Sequence, residues 1–179
     1  MQGLVNFASQ IGDAIAVALP ALCYLAAACL FLFAAWGLWQ QSQPHNPFRG
    51  RPWLPWVSLL LCGVFAGFDR FLSMANVSAG TNLAVSLTSY TASAVPNASN
   101  ILGSTPGDTV MNVVQLFQGF FQAFGAICIF FALLAWRAVI NGQSNRSQGG
   151  CFIQFAFGTM CMNILTIAQW LVGTFQVNS

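Results

Sequence analysis

Few side chains in this sequence could carry out chemistry, and the most conspicuous are adjacent: Asp69 and Arg70, in the stretch "GFDRF". Two further acids, Asp13 and Asp108, complete the carboxylates, because the chain has no glutamate. Adjacent residues on a helix point about 100° apart, so Asp69 and Arg70 do not face each other. Asp13 or Asp108, on another helix, is the natural partner for the arginine. An arginine inside a membrane segment marks a functional position by default, but a structural ion pair or a guanidinium snorkelling to the headgroups explains it more simply. Three carboxylates at one level could form an acid pair. No nucleophile–base pair, phosphate-cradling lysine or metal cluster accompanies them, so no catalytic residue is assigned and the chain is not expected to be an enzyme.

The remaining reactive groups lead no further. The cysteines are Cys23, Cys29, Cys62, Cys128, Cys151 and Cys161, and most fall well inside apolar runs. Thiols placed there do not reach an oxidising compartment and serve as small packing residues; Cys151, at a helix end, is the one placed to react or be acylated. His45 is the only histidine and sits in a proline-rich turn, whereas a metal site recruits several His or Cys from converging positions. No metal ligand and no cofactor-binding residue is assigned.

The surroundings of these groups set their solvent. The chain of 179 residues is 57% hydrophobic and 4% charged, with no lysine. A soluble domain carries about 25% charged residues. So few polar side chains cannot cover a water-exposed surface, and lipid must solvate most of the chain. A formal net charge of +2 from five scattered arginines makes no basic patch, so no direct nucleic-acid partner is expected. The opening "MQGLVNFASQIGD" lacks the basic start of a secretory signal, so the first span is expected to be retained.

A membrane crossing takes about 20 apolar residues. Four segments reach that length, at about residues 14–39, 53–75, 106–140 and 151–177, leaving an outer loop at 76–105. The expected fold is thus an all-α membrane protein, a single domain over 1–179, with four transmembrane helices arranged as two hairpins. Pro20 is expected to bend the first span and Thr105-Pro106 to start the third. If Trp53 marks one interface, Arg70 lies about 25 Å further along its helix, level with Asp13 and Asp108 near the other face.

Orientation follows from Arg49 and Arg51 in the first connecting turn and Arg137 and Arg146 at the second. Short basic loops stay in the cytoplasm, which puts both termini outside, in the periplasm for a bacterial inner membrane. Trp36, Trp39, Trp53, Trp56 and Trp136 flank the same two turns, at the depth where indoles prefer to lie. The outer loop is uncharged, alternates weakly through Leu83, Val85 and Leu87, and holds glycosylation-type triplets at Asn76 and Asn97 that read as chance matches in a Ser/Asn-rich stretch.

Contacts between helices are the better-marked feature. Gly63 and Gly67 form a GxxxG that permits close backbone approach. Gln115, Gln118 and Gln122 make a polar stripe in the third span; Gln154, Gly158 and Cys161, then Gln169 and Gly173, lie near one face of the fourth. Amides in lipid need partners, so these stripes should face other helices, whether of this chain, of neighbouring subunits or along a wet path.

The segment "RSQGGCFIQFAFGTMCMNI", after a helix ending "ALLAWRAVINGQ", resembles the DotE/IcmC and TraQ-like small inner-membrane proteins of type IVB secretion and conjugation systems. The resemblance rests on a polar turn with Arg146, the Gly149-Gly150 pair, then Gly158 and Asn163, and covers roughly the last 70 residues. It implies an integral inner-membrane component of an envelope-spanning apparatus, with membrane lipids and other membrane subunits, including further copies of itself, as partners. Two hairpins with short basic turns also match the layout of a pilin that polymerises into a conjugative pilus. A small transporter or sensor is the third reading and would need a polar path.

Overall fold

The computed structural model describes residues 2–45, 48, 50–81 and 106–176, and among these all regular structure is helical. The seven helices are α1 (Gln2–Gln41), α2 (Leu54–Ala66), α3 (Phe68–Ser78), α4 (Pro106–Leu116), α5 (Gln118–Ile140), α6 (Gln148–Met162) and α7 (Ile164–Gln176). Arg49, the 82–105 part of the outer loop and Thr105 lie outside the described residues.

Two helices are long and apolar enough to cross a membrane unbroken, over Gln10–Gln41 and Gln118–Ile140. The other two expected spans are bent pairs: α2 turns into α3 through 89°, and α6 into α7 through 77°. Two to four crossings are therefore compatible with a multi-pass membrane protein, in place of four straight spans. Each elbow has a local cause. The α2 helix ends at Gly67, at φ −114° and ψ 40°, and Asp69 in the first turn of α3 favours a new helix start there. The α6 helix ends at Asn163, whose side-chain amide and backbone N–H both donate to the carbonyl of Thr159 in the last turn. A third break, at Phe117, divides the long third segment into α4 and α5. By contrast, α1 runs through Pro20 as one element.

The helices pack as two antiparallel hairpins, α1 on α2 and α5 on α6, joined mainly along α1 and α5. Their shared core holds Leu19, Cys23 and Leu30 of α1, Leu61 and Phe65 of α2, Ile129 and Phe130 of α5, and Met162 of α6. Phe65, Phe68 and Phe130 meet at ring-centroid distances of 5.2 to 6.3 Å, so the first elbow is filled with aromatic rings. Large apolar side chains also cover the outside, with Leu60, Phe152, Ile153 and Trp170 each 68% exposed or more. An exterior of this kind suits acyl chains better than water.

The turn between α5 and α6 has a complete stop and start. Gly142 adopts φ +72°, its N–H donates to Val139, and that of Gln143 donates to Ala138, closing the α5 end as a Schellman motif. Ser147 then caps α6 by accepting from the backbone N–H of Gly150 at 3.1 Å.

Candidate functional site

At the elbow end of the bundle, α3 and the α6–α7 elbow are tied together by buried amides. Asn76 and Asn163 are 0% and 4% exposed. The Nδ2 of Asn163 donates to Asn76 Oδ1 at 2.9 Å and to the Thr159 carbonyl at 2.9 Å. Helix α3 ends in its own Schellman motif, with Gly80 at φ +82° and Thr81 donating its N–H to the Asn76 carbonyl. That motif places the Thr81 hydroxyl 2.7 Å from Asn163 Oδ1 and 2.9 Å from the Asn76 carbonyl; its single proton serves one of them at a time. The Nδ2 of Asn76 has no partner among the described residues. Beside this cluster lies an open groove of about 700 Å³, with Phe71, Met74, Phe152, Phe155 and Met160 in its walls and Thr81 and Asn163 at its polar end.

Arginines organise the opposite, turn end. Arg51 donates through Nη1 to the Ile140 carbonyl at 3.2 Å, joining the first turn to the last residue of α5. The Arg137 guanidinium lies 4.6 Å from the centre of the Phe33 ring, a cation–π contact between α5 and α1. Arg146 donates to Gln154 Oε1 at 3.3 Å, and Gln154 in turn donates to the Cys128 carbonyl at 3.4 Å. Both cationic turns therefore stand at one end of the molecule.

The residues singled out from sequence scatter more than their spacing suggests. Gly158 packs against Gly125: a Cβ on Gly158 would stand 2.8 Å from the Gly125 carbonyl oxygen and 2.7 Å from Ile129 Cγ1. A Cβ on Gly63 would meet nothing, and one on Gly67 only the carbonyl of its own helix, so the GxxxG faces outward. Gln115, Gln118 and Gln122 are half-buried and make no side-chain hydrogen bond to another described residue. Because α2 stops at Gly67, Asp69 and Arg70 begin a helix running across the bundle. They are exposed, in a recess walled by Pro20, Cys23 and Tyr24 of α1. Asp13 lies seven residues before Pro20, about 10 Å further along α1, and so does not share their level. Asp108 is exposed in the first turn of α4.

Three residues that build the packing had no distinct mark in the sequence. Asn76 was legible only as part of an N-x-S triplet, and its complete burial removes it as a glycan acceptor in this fold. Thr81 belonged to a featureless polar stretch. Gly125 becomes visible only through its partner, since Gly125 and Gly158 are on different helices. No group of three or more His, Cys, Asp or Glu residues able to hold a metal ion occurs among the described residues.

Searches against protein-family models, curated proteins and solved structures return no match for this chain.

Proposed function

We propose that this protein is an integral inner-membrane component of a type IVB conjugation or secretion apparatus, and that it acts by association with neighbouring membrane subunits rather than by catalysis. The observation that carries the reading is the stripe of Gln115, Gln118 and Gln122, half-buried amides without a hydrogen-bonding partner among the described residues. An amide in hydrocarbon is stabilised by a second helix that bonds it. The outward-facing Gly63 offers a second place for close approach. The resemblance of the last 70 residues to DotE/IcmC and TraQ-like proteins supplies the choice of apparatus. In this reading both arginine turns are cytoplasmic and both termini periplasmic.

Affinity purification of the tagged protein from the cell envelope in mild detergent tests the association. Other membrane subunits should accompany the parent chain and be lost from a Gln118→Leu/Gln122→Leu double variant; recovery of the parent as a lone monomer sinks the proposal. A cysteine replacing Arg49 should resist impermeant thiol reagents in intact cells, and labelling from outside would reverse the orientation. A pilin remains the second reading, because each hairpin is joined by a short arginine-bearing turn. Surface filaments built mainly from this chain would establish that reading instead.

A further inference from the structure

Two apolar depressions on the α6 side of the bundle meet. One, of about 210 Å³, lies between α5 and α6 at the turn end and includes Leu133, Trp136 and Gln148 in its walls. The other is the groove of about 700 Å³ that ends at Thr81 and Asn163. Phe152 and Phe155 line both, so the two form one furrow running the length of α6. From Gln148 to Asn163 that is about 22 Å, longer than the roughly 15 Å depth of one hydrocarbon leaflet. A single acyl chain fits such a track.

Charge decides which lipid. Arg51, Arg137 and Arg146 all stand at the turn end, whereas Asp13 lies in the first third of α1, Asp69 starts α3 with Arg70 beside it, and Asp108 is in the first turn of α4, all away from that end. The turn end thus has cations and no carboxylate of its own. Arg51 and Arg137 are directed inward, onto the Ile140 carbonyl and the Phe33 ring. Arg146, two residues ahead of Gln148, which lines the furrow's turn end, is exposed, and its bond to the uncharged Gln154 amide leaves its charge unbalanced.

We infer that this furrow is a binding site for an anionic glycerophospholipid. Its phosphate lies at the mouth beside Arg146 and Gln148, the Trp136 indole sits at headgroup level, and one acyl chain runs past Phe152 and Phe155 towards Asn163. The inference rests on membrane placement of the chain but not on any particular apparatus.

Native mass spectrometry of the full chain in non-ionic detergent, supplied with equal amounts of dioleoyl phosphatidylglycerol and dioleoyl phosphatidylcholine, tests it. One arginine near a phosphate favours the anionic lipid about five-fold, so phosphatidylglycerol adducts should exceed phosphatidylcholine adducts by about that factor. Arg146→Gln should bring the two close to parity. Ala156→Trp, which fills the furrow, should remove both adducts, and Phe152→Ala, at a position 71% exposed and safe for folding, should weaken both. Parity in the parent protein, an unchanged ratio in Arg146→Gln, or full adducts in both furrow variants would overturn the site. Detergent phase partitioning reports separately on membrane placement: a chain that stays in the aqueous phase refutes that premise, whatever the adducts show.

Discussion

The two hairpins share a plan and differ in where their backbones touch. In the α1–α2 hairpin the close approach is next to the turn, where a Cβ on Gly37 would stand 2.7 Å from Pro55 Cγ. In the α5–α6 hairpin it lies towards the elbow, where Gly125 and Gly158 oppose each other's carbonyls and Met162 closes the contact. The first is pinched at its base and the second near its far end. Position then dictates what each can do. The first hairpin leaves Gly63, towards its far end, open to a neighbour, whereas the second uses its glycines internally and positions Asn163 to hold the elbow.

The largest effect should come from breaking the second contact. Gly158→Leu drives a side chain into Ile129 and the Gly125 carbonyl, and overpacking of this kind costs about 3 kcal/mol. Thermal unfolding of the purified protein in detergent should fall accordingly, and an unchanged midpoint would mean that the helices are not that close. Next is the amide tie. Asn163→Leu strips Asn76 Oδ1 of its donor while keeping the site buried, for a loss of about 1–2 kcal/mol. Adding Asn76→Leu should recover part of that loss, because both polar partners are then gone; strict additivity in this cycle would mean no coupling between Asn76 and Asn163. Gly37→Ala should cost about 1 kcal/mol through its contact with the proline ring, measured in the same way. The smallest effect belongs to Gly63→Ala, which meets nothing and should leave the monomer within about 1 kcal/mol of the parent, shifted upward if at all. A marked loss there would show Gly63 packed inside the subunit after all.

Helices were readable from the sequence because a long apolar run with few charges leaves the backbone little alternative to bonding itself. The turns were readable for a similar reason: proline, glycine and arginine collect at 42–53 and 141–147, where hydrophobicity stops. The elbows were not. Hydropathy continues through Gly67 and Asn163, so a sum over the window registers a single crossing where the chain turns by 89° or 77°. What breaks those helices is local: a residue at φ −114° and ψ 40° in one case, and in the other an amide that bonds its own backbone at Thr159. Contacts between distant residues were hidden in the same way. Spacing put Gly63 and Gly67 on one face of a helix, but periodicity does not say which face meets a partner, and here the partnered glycines are Gly125 and Gly158.

The gathering of three arginines at the turn end also has an electrical meaning. With Arg51, Arg137 and Arg146 at the turn end, and Arg70 offsetting only one of the three carboxylates elsewhere, the folded chain keeps a fixed dipole along the membrane normal wherever the bundle spans a bilayer. Each unit charge carried across 100 mV is worth about 2.3 kcal/mol. An energised membrane therefore favours the orientation that puts the arginine turns on its negative side, with a bias that grows with voltage and vanishes when the potential collapses.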